Sequence, residues 1–180
     1  MNVPEFLSWA DAQESGRYEL VGGEIVAMAP ERLEHVNAKL LAVDALRAAI
    51  PRAGVACQAY VDGLGVAVDD HTVYIPDALV NCGDPGTRDT MIAPNPVIVA
   101  EVLSQSTEKF DLTTKLADYF RVAGLAHYII VDPRKRHVLH YRRQSNGLIL
   151  LAIVRDGDLV FDPPGITVAT ASFFESQPFE

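Results

Sequence analysis

Pro96-Val97-Ile98-Val99-Ala100-Glu101-Val102-Leu103 is short, rich in β-branched residues, and carries a single charge. A run of this length and composition reads as a central strand buried on both faces. An ionised carboxylate inside it is costly unless a cation or hydrogen-bond donors compensate. Glu101 therefore needs a partner, and a divalent metal or a lysine would serve. Alternation puts Val97, Val99, Glu101 and Leu103 on one face. Upstream, Val73-Tyr74-Ile75-Pro76-Asp77-Ala78-Leu79-Val80 sets a second carboxylate, Asp77, in a similar place.

Working outward, Ser104-Gln105-Ser106-Thr107-Glu108 is polar and cap-rich, so a helix should begin near 106–109. Leu112, Leu116, Tyr119 and Phe120 carry it to Ala123, with Gly124 as its C′ residue. His127–Val131 is the next strand, closed by Asp132-Pro133. The unit 97–131 then requires parallel strands joined by a right-handed crossover. Upstream, residues 4–14 suit a short helix docking through Phe6, Leu7 and Trp9. Gly22-Gly23 between two alternating runs marks a hairpin. A helix over 31–50 presents Leu33, Val36, Leu40, Val43 and Ile50, and Pro51 and Gly54 end it. Strands follow near 55–60, 63–68 and 73–81 as an antiparallel meander. Downstream, 137–143 and 147–154 flank the Ser145-Asn146-Gly147 turn, and 158–161 and 166–169 read as edge strands. The expected class is α/β: a mixed β-sheet flanked by helices, with a meander and one parallel β-α-β crossover. One domain over 1–180 is expected, with an N-terminal helix and hairpin (4–28), a core (31–133), and a C-terminal hairpin and edge strands (137–170).

The composition sets bounds. The chain has 180 residues, 49% hydrophobic and 22% charged, which suits one full core. No apolar run approaches a membrane span, and the N-terminus lacks the basic and apolar regions of a secretory signal. Cys57 and Cys82 form no C-x-x-C pair and no zinc pattern, so free thiols in a cytoplasmic protein are the simplest expectation. The net charge of −9 argues against a protein that coats nucleic acid. Residues 109–155, however, hold nine Lys/Arg against three Asp, a local +6 against −15 for the rest. Such a segment fits a phosphate-binding face and an ordinary solvated surface equally well.

Two carboxylates on adjacent strands can share one Mg²⁺, or Mn²⁺, and such an ion equips a site for phosphodiester hydrolysis. The blander readings are a Pro-Asp turn for Asp77 and a buried salt bridge for Glu101. Glu34 and His35 lie on the first long helix, and His35 has a pKa suited to a base or donor. Glu19 and Glu24 are expected to point opposite ways from the hairpin turn, and spacing does not decide which reaches the site. Arg134-Lys135-Arg136 follows a strand–Pro turn and suits either DNA phosphates or solvent.

Pro76-Asp77 followed by Glu101-Val102-Leu103 is similar to the PD-(D/E)xK nuclease pattern. More closely, the chain resembles the Uma family of restriction-endonuclease-like proteins. The landmarks run in order from Tyr18-Glu19-Leu20-Val21-Gly22-Gly23-Glu24 through Glu34-His35 and Pro76-Asp77. They continue with Pro96, Glu101-Val102-Leu103-Ser104, Ser106-Thr107, Asp111, Lys115 and Tyr119, and close at Tyr128-Ile129-Ile130-Val131-Asp132-Pro133. The resemblance implies a restriction-endonuclease-like core and a metal-dependent endonuclease acting on DNA. Asp77 and Glu101 would hold the metal, with Lys115 and His35 completing the catalytic set. The superfamily lysine belongs two residues after the glutamate, where this chain has Leu103. The resemblance moves that role to Lys115 on the following helix, while the plain reading pairs Lys115 with Asp111 on the surface. A nuclease-fold binding or structural protein without turnover and a small-phosphoester hydrolase remain the alternatives. The hairpin 137–154 at a sheet edge, together with the two-fold symmetry of duplex cleavage, leads us to expect a homodimer.

Overall fold

The computed structural model describes residues 1–104 and 111–175. Helix α1 (Val3–Asp11) starts at a capping box, in which Asn2 and Glu5 each accept the other's backbone N–H. A cap of this kind is worth about 1 kcal/mol. The helix buries Phe6 against the hairpin β1 (Tyr18–Val21) and β2 (Glu24–Ala27). Gly22 and Gly23 turn that hairpin with φ of 58° and 85°, the double positive φ that a two-residue turn requires. Next come helix α2 (Leu33–Ala53), β3 (Cys57–Val61), β4 (Val66–Asp69), β5 (Thr72–Tyr74), β6 (Ala78–Cys82) and β7 (Pro96–Val102). A π-helical turn, Asp111–Lys115, passes into the short α3 (Leu116–Tyr119). Strands β8 (His127–Asp132), β9 (His137–Arg143), β10 (Ile149–Val154), β11 (Asp158–Phe161) and β12 (Ile166–Ala169) complete the order.

The main sheet has six strands in the order β10-β9-β8-β7-β6-β3. Only β7 and β8 are parallel; the other pairs are antiparallel. All seven residues of β7 are buried, as the apolar run 96–103 requires. On one face lie α2 and the β11–β12 ribbon, enclosing Leu46, Val80, Ile98, Ile129 and Phe161. On the other, Val99, Leu103, Tyr119, Tyr128 and Ile130 pack with Val66 and Tyr74 of a four-stranded sheet ordered β2-β1-β5-β4. The result is a mixed sheet flanked by helices.

Several expectations are corrected. Residues 73–81 are two strands in two different sheets, not one, and the early strands do not form a single meander. Pro76 lies at the break, and its missing N–H cannot continue a ladder. Val97 joins the α2 face rather than that of Val99 and Leu103, because the β6–β7 register shifts between Val80↔Ile98 and Asn81↔Pro96. In α2, Val43 and Ile50 are buried but Leu33, Val36 and Leu40 are exposed. Its core face is instead the small-residue stripe Ala38, Ala42, Ala45 and Ala49, and the helix runs through Pro51 to Ala53. The strands at 158–161 and 166–169 are not edges of the main sheet but a separate ribbon packed on α2.

The crossover helix ends at Tyr119 with Phe120 as its cap, not at Ala123. Gly124 serves packing rather than a left-handed cap, since a Cβ there would come within 2.7 Å of Asn95 Oδ1. The start expected near 106–109 and the side chain of Asp111 lie outside the described residues. Cys57 and Cys82 stand directly opposite each other on β3 and β6 and form a disulfide. Free thiols, the basis for a cytoplasmic reading, are therefore not what the structure holds. Spacing hid the pair, because cross-strand partners need register rather than a C-x-x-C motif.

At the far end of β8, His127 and His140 are buried side by side with their Nδ1 and Nε2 atoms 2.9 Å apart, under a loop whose Pro163 carbonyl meets His127. Burial lowers both pKa values to about 4. Unfolded, these histidines titrate near 6.5, so below that pH the unfolded chain binds more protons than the folded one. Their contribution to stability should be complete above pH 6.5 and should fall away as the pH drops toward 4. Thermal unfolding of wild type should lose on the order of 2 kcal/mol per histidine between pH 7 and pH 5. The double variant His127→Asn/His140→Gln should show a flatter pH profile over that range. An unchanged profile would assign the acid sensitivity elsewhere.

Candidate active site

Asp77 and Glu101 arrive from neighbouring strands. Ala78 pairs with Ala100, so one more step of the same register sets Asp77 opposite Glu101. Both are buried and both line one cavity of about 800 Å³. Asp77 follows Pro76 just outside β6, where its side chain replaces a ladder partner. Its Oδ2 accepts the Val102 N–H at 2.7 Å. Its other neighbours come from α2: Lys39 Nζ lies 3.2 Å from Oδ1 and His35 Nε2 lies 3.6 Å from Oδ2. Burial pushes the Asp77 carboxyl up, but His35, Lys39 and the Val102 amide outweigh it and hold the group below the usual carboxylate range. Reciprocally, the bond to Asp77 raises His35 above an ordinary histidine.

Glu101 belongs to a second cluster lining the same cavity. Its Oε1 accepts from Lys115 Nζ at 2.9 Å and from the Tyr119 hydroxyl at 2.9 Å. Lys115 also donates to Glu19 Oε1 at 3.1 Å, and that oxygen accepts the Ile75 N–H at 3.0 Å. The Lys115 ammonium stands 5.2 Å from the centre of the Tyr74 ring. Burial, then the Glu101 charge, hold the Tyr119 phenol well above its usual pKa, so it stays a donor. Lys115 is thus no surface residue; it closes the π-helical turn, four positions before Tyr119 at the far end of α3. Lys115 and Tyr119 are four residues apart, so they share one helical face and meet the same carboxylate oxygen.

Three donors lie within 4.8 Å of one another: a carboxylate oxygen of Glu31, a ring nitrogen of His35 and a carboxylate oxygen of Asp77. Oxygen ligands with one imidazole suit a divalent cation, and Mn²⁺ tolerates the nitrogen better than Mg²⁺ does. Glu101 lies outside that group. Glu31 is also bound by Lys39 at 2.8 and 2.9 Å and by Arg17 at 2.7 Å, and Lys39 reaches Asp62 at 2.5 Å. Burial raises the Glu31 pKa less than Lys39 and Arg17 lower it.

The other sequence candidates are dispersed. The Val21↔Glu24 register puts Glu24 on the same face as Glu19, not the opposite one, yet Glu24 is exposed at the turn and only Glu19 reaches the site. Glu34 is exposed on the cavity rim. In the turn after β8, Arg134 lines the rim, while Lys135 faces Asp132 at 3.5 Å and Arg136 faces Glu175 at 2.7 Å. Leu103, at the expected lysine position, lines the same cavity as Lys115. Sequence reading missed Glu31, Lys39 and Tyr119 as site residues. A lysine directly following Ala38 on the alanine stripe of α2 was the one available signal.

The family model described as "Uma2: Putative restriction endonuclease" matches residues 3–171. An uncharacterised protein of Synechocystis sp., sll1609, is 31% identical over 85 residues, covering 46% of this chain and 48% of that protein. The chain thus spans about half the length of that relative. A second Synechocystis protein, slr1290, is 26% identical over 152 residues, covering 82% of this chain and 76% of its own length. A solved structure described as "a putative nuclease belonging to DUF820", from Anabaena variabilis ATCC 29413, is similar with a TM-score of 0.71. It covers 97% of each chain at 18% identity, a likeness of fold alone. The match over nearly the whole length settles the family: the chain belongs to the Uma2 family of restriction-endonuclease-like proteins.

Proposed function

We propose that this chain is a divalent-metal-dependent endonuclease that hydrolyses DNA phosphodiester bonds. The observation that carries the reading is the meeting of Asp77 and Glu101 at one cavity, with His35 beside the first and buried Lys115 behind the second. Asp77, with His35 and Glu31, would hold Mg²⁺ or Mn²⁺, and Glu101 faces the same space. A bound ion of this kind polarises a phosphoryl oxygen and lowers the pKa of water. Glu101, aimed by Lys115 and Tyr119, accepts one proton from the attacking water. The water oxygen bonds to phosphorus, the P–O3′ bond breaks, and the leaving oxygen takes its proton from solvent. Lys115 compensates the charge of Glu101 and Glu19 through the reaction.

Plasmid nicking should therefore require Mg²⁺ or Mn²⁺ and stop with a chelator. Asp77→Ala should lower the rate by at least roughly 10²-fold. Removing Lys115 alone strands two buried carboxylates, at about 3–5 kcal/mol. The pair Lys115→Met/Glu19→Gln relieves one of them and tests turnover in a folded protein. A rate within threefold of wild type would remove Lys115 from the mechanism.

One specific observation favours a second reading, a nuclease-fold binding protein without turnover. Lys39 already gives Asp77 an ammonium counterion at 3.2 Å, a built-in competitor for a cation. Calorimetric titration of Mn²⁺ separates the two readings. Under the nuclease reading wild type binds the ion, and Asp77→Ala does not. Under the binding-protein reading only Lys39→Met binds it.

The same reading assigns a second copy of the chain to β10. This strand is the edge of the main sheet and exposes Ile149, Leu150, Leu151 and Ile153. Such an edge invites strand pairing. An antiparallel pair centred on Leu151 sets apolar residues opposite one another throughout. Light scattering at micromolar concentration should give a dimer mass, and Leu151→Lys/Ile153→Lys should give a monomer.

A further inference from the structure

The cavity is larger and more apolar than a phosphate needs. Beyond the carboxylates its wall is Val26, Met28, Pro30, Val102 and Leu103, with Arg32 and Arg134 at the mouth. A volume of about 800 Å³ lies in the range of small-molecule sites, which combine apolar walls with a few convergent polar groups. A duplex-reading surface has another character: convex-fitting, lined with Lys and Arg that release counterions from many phosphates. This chain carries a net charge of −9, and the two buried lysines among the described residues are paired with carboxylates. A duplex phosphate sits on the outside of a wide rod, whereas Asp77 and Glu101 are each only about 5% exposed at the base of a concavity.

We infer that the cavity receives one unpaired nucleotide. The inference rests on the phosphodiester reading of Asp77 and Glu101 and names the substrate class. The phosphate meets the Asp77–His35–Glu101 end, and the sugar and base lie along Val26, Met28 and Leu103. Extrusion of a single nucleotide into a pocket is how enzymes reach atoms that a stacked duplex conceals. Two features suit the base. Val26 and Ala27 belong to β2, the edge strand of its sheet, whose outer backbone N–H and C=O groups can meet the hydrogen-bonding edge of a base. Arg32 and Arg134 supply planar guanidinium groups on which an unpaired base stacks. Recognition of this kind draws affinity from one enclosed nucleotide rather than from a long track of phosphates, which an acidic protein would repel.

Met28 lies in the wall, and the chain has only two other methionines, Met1 and Met91, neither of which lines the cavity. Methyl-labelled methionine therefore gives a local probe that does not depend on cleavage. In Ca²⁺, which suppresses turnover, four ligands are titrated against wild type and Val26→Trp: dTMP, inorganic phosphate, a single-stranded oligonucleotide and a blunt, fully paired duplex. Val26 is 44% exposed, so tryptophan there narrows the cavity without entering the core. The Met28 methyl should shift saturably with dTMP or with the single strand and stay still with phosphate and duplex. Met91 should not move, and Val26→Trp should weaken the response at least tenfold. A response to the single strand marks a strand as the source of the nucleotide; a response to dTMP alone marks a free nucleotide. A Met28 response to phosphate equal to that to dTMP, equal responses to duplex and single strand, or none to either nucleotide ligand would overturn the inference. Cleavage assays in Mg²⁺ keep the two readings apart. Efficient duplex cutting with a silent Met28 leaves the nuclease reading standing and removes the pocket. A saturable Met28 shift with no cleavage of any DNA keeps the pocket and removes the nuclease.

Discussion

The carboxylate of Glu101, buried at the end of the central strand, is the constraint around which this fold is arranged. Left alone in such a place it would take up a proton or unfold the strand. It is met instead by an ammonium and a phenol donating to the same oxygen. Both donors come from one short helical segment, four residues apart, the spacing that sets two side chains on one helical face. Lys115 must then satisfy Glu19 as well, and Glu19 in turn caps the Ile75 amide just before Pro76 breaks the chain between two sheets. A single charge on β7 thus fixes the crossover helix and ties the four-stranded sheet to the six-stranded one. Buried ion networks of this kind contribute little net stability relative to apolar packing, but breaking one member is strongly destabilising.

Asp77 is organised by a different device. Pro76 ends pairing in one sheet, and the next strand starts in another, so Asp77 falls in the gap with its side chain bonded to the Val102 amide. That bond holds the carboxylate at the rim of β7, within reach of α2. The alanine stripe of α2 lets the helix lie close to the sheet, and its first turns then overhang the cavity, carrying His35 and Lys39 to Asp77. This explains why Leu33, Val36 and Leu40 are exposed although they recur at helical spacing.

The strand 96–102, its neighbour 127–132 and the hairpins were legible because each is declared locally: β-branched runs, paired glycines, a Ser-Asn-Gly turn. Asp77 and Glu101 were legible because a charge in an apolar run demands an explanation. Lys39 was not, since its partners Glu31, Asp62 and Asp77 come from three separate segments and only tertiary packing brings them together. The disulfide was hidden for the same reason, as the β3–β6 register is a long-range fact. The single strand read across 73–81 failed at a residue whose meaning was local. Pro76 was seen as part of a motif when its missing N–H also forbids a continuous central strand.

The phosphodiester reading sets a repulsion problem for a chain of net charge −9, and the candidate site meets it locally rather than globally. At an effective dielectric near 20, unit charges 4 Å apart interact by about 4 kcal/mol, and distant surface charges are screened over roughly 10 Å at moderate salt. What an incoming phosphate feels is therefore the cavity, not the −9 of the whole chain. There Asp77 stands against Lys39 and His35, Glu101 and Glu19 against Lys115, and Glu31 against Lys39 and Arg17. Each carboxylate stands beside at least one cation, with Lys39 and Lys115 each shared between carboxylates. Under the proposed reading such a site would not expel a single phosphate, and among the described residues it offers no extended positive track along which a duplex could lie. Local compensation of charge and an enclosed apolar wall are thus two consequences of one arrangement, in which α2 and the edge of β2 close over the ends of β6 and β7.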